Sequence, residues 1–171
     1  MKRSGVVAAS LLITVSSVGA ILATRSSTTS DPSSGVVKRV VDGDTFIARI
    51  GNRDVQIRLI GVDTPETVKP GAPVECFGPE ASDFTKSMLR EGSRVRLARD
   101  IEARDKYGRL LAYVYVGTDE VFLNRALIEQ GFATAYPYPP NTAHADEFNE
   151  VEREARTARF GLWGSCEQPS G

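Results

Sequence analysis

The sequence predicts an α+β domain, mainly β, arranged as a five-stranded Greek-key barrel with three helices. Three observations carry the prediction. Residues 36–60 divide into three β-rich runs; a two-residue turn signal joins the second run to the third; and a helical repeat separates these from two further strands. Val36 to Val41 is β-branched. Thr45 to Ile50 and Asp54 to Ile60 flank Gly51-Asn52, a hairpin signal. In the third run Val55, Ile57 and Leu59 alternate with Gln56, Arg58 and Ile60, so they define two faces. Pairing Ile50 with Arg53 sets Thr45 opposite Arg58 and leaves Asp44 one residue away, its facing open because Gly43 can carry a bulge.

The remaining elements follow in order. Gly61 to Phe77 is a long loop containing three prolines. Pro79-Glu80 opens a helix whose stripe is Ala81, Phe84 and Met88, and Glu91-Gly92 ends it. Arg94 to Ala98 alternates as a half-exposed strand, Asp100 to Gly108 is a charged loop, and Leu110 to Val116 is a strand. Val121 to Gln130 reads as a short helix stopped by Gly131. Ala135 to Asn141 is irregular. Asn141 or Thr142 caps a last helix with the stripe Phe148, Val151, Ala155 and Ala158, ending at Gly161. A five-stranded Greek-key barrel with a helix between strands three and four is the OB-fold plan. A generic antiparallel α+β domain is the alternative, and no internal repeat is present.

The chain has 171 residues, 41% hydrophobic and 25% charged, an ordinary globular composition. Met1-Lys2-Arg3 followed by the uncharged, largely apolar stretch from Ser4 to Thr24 has the pattern of an export signal, and its length also suits an uncleaved anchor tethering residues 4–24 in a membrane. Both readings set the domain outside the cytoplasm, secreted or membrane-anchored. Residues 25–35 form a Ser/Thr-rich polar linker, 36–166 the folded domain and 167–171 a tail. Cys76 and Cys166 are the only cysteines, and an even count in an oxidising compartment favours a disulfide over two free thiols. Two cysteines and one distant histidine do not make a zinc site.

Charge is uneven. Residues 36–115 carry 14 Lys/Arg against 12 Asp/Glu, and residues 116–171 carry 4 against 9. That excludes a chain-wide basic field, so any phosphate binding must be local.

The chemistry is concentrated in three clusters, Asp42-Gly43-Asp44-Thr45, Asp63-Thr64-Pro65-Glu66 and Asp105-Lys106-Tyr107-Gly108-Arg109. Asp44 begins one strand of the hairpin and Asp63 follows its partner, so the two carboxylates converge at one end. Two carboxylates with a backbone carbonyl or water make an oxygen-only site suited to Ca²⁺ or Mg²⁺, with affinity on the order of 10⁻⁴–10⁻³ M. Glu66, on a loop stiffened by Pro65, can orient or deprotonate a water. Arg58 and Arg109 can present guanidinium forks to a phosphodiester. Tyr107, Tyr136 and Tyr138 can stack on bases or sugars, or simply pack a proline-stiffened loop. His144, the one histidine, has no visible partner and reads as exposed helix surface.

These residues resemble the staphylococcal nuclease (thermonuclease) family from about Val40 to Trp163, through VDGDT, RLIGVDTPET, FGPEASDFTK, DKYGRLLAYVY, LIEQGFA and FGLW in the family's order and spacing. The resemblance implies an OB-fold barrel with three helices and Ca²⁺-dependent hydrolysis of DNA and RNA to 3′-phosphate and 5′-hydroxyl ends. It implies that Asp44 and Asp63 are calcium carboxylates, Thr64 a carbonyl ligand, Arg58 and Arg109 phosphate-binding residues, and Glu66 the general base. Tyr107, Tyr136 and Tyr138 then line a nucleotide pocket. Two features depart from the family's best-known member: a mildly acidic domain and the two cysteines. The expectation is an exported monomer that cleaves single-stranded or frayed DNA and RNA. The rivals are a catalytically inactive module binding nucleic acid or protein, and an oligosaccharide-binding OB domain.

Overall fold

The computed structural model describes residues 33–67, 71 and 73–166. The segments read as signal or anchor (1–24) and tail (167–171), and most of the linker, lie outside the described residues. Among the described residues no helix is long and apolar enough to cross a membrane.

Three strands come first: β1 (Ser34–Asp42), β2 (Thr45–Ile50) and β3 (Arg53–Leu59). The registers are those the turn signal implies, with Ile50 opposite Arg53 and Thr45 opposite Arg58. The two-residue strand β4 (Val62–Asp63), helix α1 (Gly78–Met88), and strands β5 (Arg94–Ala98) and β6 (Leu110–Val116) follow. The sheet runs β3-β2-β1-β5-β6, and a parallel pairing of β3 with β6 closes it into a five-stranded barrel. Closure leaves no free edge between these strands, and it aligns Arg58 with Leu111 and Ile57 with Leu110. Residues Val37, Phe46, Ile57, Leu59, Val95, Leu97, Leu110 and Val114 are essentially buried in one core cluster. At roughly 1.5–3 kcal/mol for each large apolar side chain, they supply the principal driving force for closure.

The second half differs from expectation at its joints. The run expected to be helical from Val121 starts as a strand, β7 (Val121–Phe122), paired to β6, and becomes α2 (Leu123–Glu129) only afterwards. Strand β8 (Thr134–Ala135) pairs with β4, and α3 (Ala145–Ala158) is followed by a single turn, α4 (Leu162–Ser165). Such short pairings carry no periodicity of their own. Gly131 does stop α2, and it also allows a close approach. A Cβ there would lie 2.2 Å from the carbonyl oxygen of Phe160, and the Gly131 carbonyl accepts a hydrogen bond from Leu162 N–H.

His144 corrects the reading of an exposed helix surface. It is half-buried at the start of α3, its ring edge-on to Tyr113 at 4.6 Å and stacked with Phe148 at 5.7 Å, with Nδ1 2.8 Å from Glu147. Its apolar ring surface pays for its place by packing, leaving the polar edge to a carboxylate. Asn141 does not cap α3 through its side chain; it bonds the backbone of Glu102 across the molecule. Cys76 and Cys166 are joined, with Cα atoms 6.0 Å apart and 90 residues between them in sequence.

Asn124 ties the helical layer to the barrel. Fully buried on α2, it accepts from Val114 N–H at 2.9 Å and donates to the Ile60 carbonyl at 2.8 Å. Asn124→Ala strands both buried backbone groups and should lower unfolding free energy by about 2–4 kcal/mol with an unchanged denaturant slope. A loss below about 1 kcal/mol in a urea titration would contradict this account.

Candidate functional site

The mouth of the barrel is built around Arg58. The β2–β3 register sets it opposite Thr45, and its side chain is largely buried. Nη1 donates to the carbonyls of Leu59 and Val62, both at 2.7 Å. Nη2 lies 2.9 Å from Asp44 Oδ2 and 2.9 Å from Asp63 Oδ1. Asp44 and Asp63 therefore do face one another, with one guanidinium neutralising both.

Asp44 sits in the β1–β2 turn, buried, accepting from Thr45 Oγ1 at 2.9 Å and from Thr64 N–H at 3.3 Å. Gly43 permits this. A Cβ at that position would fall 2.6–2.9 Å from the side-chain atoms of Thr64, so only glycine lets the 63–67 loop close over the turn. From below, Thr85 Oγ1 on α1 donates to the Gly43 carbonyl at 2.6 Å.

Arg109 reaches the same mouth because β6 pairs with β3. Asp105 accepts from Arg109 N–H and Tyr107 N–H, each at 3.0 Å, and from Arg109 Nε at 2.6 Å. Burial alone would raise the Asp105 carboxyl, but these hydrogen bonds outweigh it and hold it below the usual carboxylate range. The terminal nitrogens of Arg109 have no hydrogen-bond partner among the described residues. They are available to a ligand.

Glu66 is fixed through its backbone. Its N–H donates to Glu75 Oε2 and its carbonyl accepts from Glu75 N–H, each at 3.0 Å. Thr67 Oγ1 donates to Asp42 Oδ1 at 2.6 Å, fastening the other end of the loop.

Asp42, Asp44, Asp63, Thr64, Glu66 and Glu75, with Arg58 and Arg109, line one cavity of about 370 Å³. A neighbouring cavity of about 330 Å³ shares Arg58, Asp63 and Arg109 and is lined by Tyr107, Tyr136 and Tyr138. The tyrosine loop is held there by the β4–β8 pairing and by Tyr136 N–H donating to the Gly61 carbonyl at 2.9 Å. Tyr107 and Tyr136 present exposed rings, whereas Tyr138 is half-buried and packs partly on the core. All nine residues singled out in the sequence thus meet in two adjoining cavities. Sequence reasoning missed Asp42 and Glu75 as members of the cleft. Asp42 stood inside a quoted cluster, and Glu75 adjoins Cys76.

The electrostatics favour a hard cation. Burial, followed by the lesser influence of neighbouring carboxylates, pushes Asp42 up from its ordinary value; burial also raises Asp63, against the pull of Arg58. Five carboxylates face two guanidiniums in the cleft. Among the described residues no three His, Cys, Asp or Glu side chains form a ready-made metal site. The donors that fit are two carboxylates and a carbonyl, all hard oxygen.

Comparison with known proteins places these observations. The family model described as "Staphylococcal nuclease homologue" matches residues 56–165. The Thermonuclease of Staphylococcus intermedius is 48% identical over 139 residues, covering 81% of each chain. The Thermonuclease of Staphylococcus hyicus is 42% identical over 129 residues, 75% of each. The SPbeta prophage-derived endonuclease YokF of Bacillus subtilis (strain 168) is 42% identical over 128 residues, 73% of this chain and 42% of that protein.

Because Gly43 carries the fit between turn and loop, Gly43→Ala should cost about 1–3 kcal/mol and displace Thr64, as read by unfolding and by the amide resonances of residues 63–67. Unshifted resonances would show that the packing at Gly43 is not what sets the loop.

Proposed function

The chain belongs to the staphylococcal nuclease family, and we propose that it is an exported, Ca²⁺-dependent nuclease that cleaves DNA and RNA strands to 3′-phosphate and 5′-hydroxyl ends. The observation that carries the proposal is the convergence of Asp44, Asp63, Glu66, Arg58 and Arg109 on one cleft beside exposed tyrosine rings. Two features support export: the N-terminal pattern, and a disulfide of the kind that persists in oxidising compartments.

Asp44, Asp63 and the Thr64 carbonyl would hold the cation, whose contribution is to neutralise charge on a non-bridging phosphate oxygen. Arg58 Nη2 is the group that exchanges. It pairs with both carboxylates in the structure, and it can turn to the phosphate once they have another counter-ion. Arg109, held at Nε by Asp105, offers its terminal nitrogens to the equatorial oxygens, where negative charge grows as phosphorus becomes five-coordinate. Glu66 takes a proton from the attacking water. The new P–O bond forms as the P–O5′ bond breaks, and the 5′ oxygen takes a proton from solvent water to leave as the hydroxyl, while Glu66 returns its proton to solvent. Tyr107 and Tyr136 stack on bases or sugars only when these are unpaired, which supports a preference for single strands.

Two tests follow. On denatured DNA with Ca²⁺, Glu66→Gln should lower kcat by roughly 10²–10⁴ with little change in KM, and chelator should abolish cleavage by the parent chain. Wild-type turnover by Glu66→Gln would remove Glu66 from the chemistry, and chelator-resistant cleavage would remove the cation.

The second test uses pH. A carboxyl raised on folding contributes stability below its unfolded value, about 3.9, and loses it as pH climbs through the folded value. At neutral pH Asp42 and Asp63 are therefore a cost to the fold. Ca²⁺ should raise Tm at pH 7, and the increment should shrink toward zero as pH falls to about 4. An increment independent of pH would show that Asp63 does not bind the ion.

A further inference from the structure

A third cavity, of about 670 Å³, adjoins the cleft and has no tyrosine in its lining. It shares Asp63, Thr64 and Glu75 with the cleft, and its far wall is Thr134, Arg156, Leu162, Trp163 and the Cys76–Cys166 bond. Asp63 lines all three cavities. The tyrosine pocket, the acidic cleft and this groove thus form one continuous path, with the groove about twice the volume of the tyrosine pocket.

The far wall has unused binding capacity. Trp163 is over nine-tenths buried and its indole nitrogen is closed off from solvent, so that capacity lies with Arg156. The Arg156 guanidinium lies over the Trp163 ring, 3.8 Å from its centroid, and its side chain is half exposed. One Nη2 contact goes to Glu152 at 3.0 Å, which leaves further donors on the planar fork. The groove shares the carboxylates Asp63 and Glu75 with the cleft and carries one cation, Arg156, outside it. The disulfide, Leu162 and Pro65 in its lining are apolar.

We propose that this groove is a second substrate subsite, which takes the polynucleotide strand where it leaves the cleft and holds a flanking phosphodiester against Arg156. The occupant is argued from continuity. A strand whose scissile phosphate lies at Arg58 and Arg109, with one nucleoside on the tyrosines, must leave the cleft along an open path, and the groove opens from it past Asp63 and Thr64. The lining suits such a strand, with apolar surface for sugar and the Arg156 guanidinium for a phosphate. Arg156 already covers one face of Trp163, so the subsite reads backbone rather than base, and it carries no sequence preference. The consequence is a preference for longer strands and for internal bonds. The proposal rests on the nuclease reading, because it assigns the groove to that substrate.

The test uses 5′-fluorescein-labelled single-stranded dT8 and dT2 and the Glu66→Gln chain, with anisotropy in Ca²⁺ as the readout. Adding Arg156→Ala should weaken dT8 binding about 5- to 10-fold and dT2 binding less than twofold. The slope of log Kd against log salt for dT8 should fall by about 0.7, one phosphate contact on a single strand. Arg156→Lys should recover most of the loss, since a phosphate accepts from either cation. Equal effects on dT8 and dT2, no effect on either, or no binding of dT8 at all would overturn the subsite. Trp163 is left intact because it is buried. Turnover of dT8 by the unsubstituted chain decides the nuclease reading separately. If that turnover is absent the nuclease reading fails, while the anisotropy still judges the groove.

Discussion

The Arg58 guanidinium is the interaction on which the mouth of the barrel depends. Three hydrogen bonds and an ion pair from two nitrogens join the end of β3, both residues of β4 and the β1–β2 turn. A lone buried carboxylate costs several kcal/mol, and removing one partner of such a pair costs about 3–5 kcal/mol. The pair is also a poor final state for the acids it serves. Asp63 stays raised despite its arginine, because burial and the Asp44, Glu75 and Glu66 charges act against it. A single monovalent side chain is spread over two carboxylates while three more stand in the same cleft. The fold is stable enough to hold the acids together, yet it leaves their charge under-compensated, which is the condition a divalent ion relieves.

The parallel β3–β6 seam explains why the second arginine arrives where it is useful. Arg58 and Arg109 are 51 residues apart in sequence, yet Arg58 aligns with Leu111 across the seam, two positions along β6 from Arg109. The two guanidiniums have different resting tasks. Arg58 is occupied by protein acceptors, whereas Arg109 spends only Nε on Asp105 and keeps its outer nitrogens. The cleft therefore holds local cationic donors although the chain carries no basic excess. A guanidinium acts over a few ångströms, inside the Debye length of about 8 Å at physiological salt, whereas exposed charges farther off than that are largely screened.

Much of this geometry was legible in the sequence, and the limits of legibility are physical. Gly51-Asn52 sets a two-residue turn, and with a period of two that turn fixes which residue meets Arg58. The facing of Asp44 was not legible. Register shifts in β1 between Val37 and Arg39 and between Val40 and Asp42 break the alternation just before it. Nor was the seam itself, because a parallel pairing between distant strands has no local signature. The two-residue strands β4 and β8, which carry Asp63 and position Tyr136, are too short to show a period. The resemblance to a known family located Arg109 and the tyrosines where periodicity could not. Neither route identified Glu75, whose role is a backbone contact, or the lodging of His144 among aromatic rings.

The disulfide bears on how the water-activating loop is held. Glu66 lies on an irregular stretch, and such segments have low local stability unless their backbone groups are tied. Here the reciprocal bonds with Glu75 close the loop into a small cycle, and Cys76, the next residue, is bonded to Cys166 at the end of α4. A cross-link across 90 residues restricts the unfolded chain by roughly 4–5 kcal/mol in the entropic model. That stabilisation is global, but its placement is local: it anchors the side of the loop that holds Glu66 to the helical layer rather than to the barrel. Asp42 performs the same service from the barrel side, through Thr67. The carboxylate assigned to the water is thus positioned from both layers of the domain. The carboxylates assigned to the cation are held at the barrel mouth by Arg58, with Thr64 N–H on Asp44 and the β4–β8 pairing at Asp63.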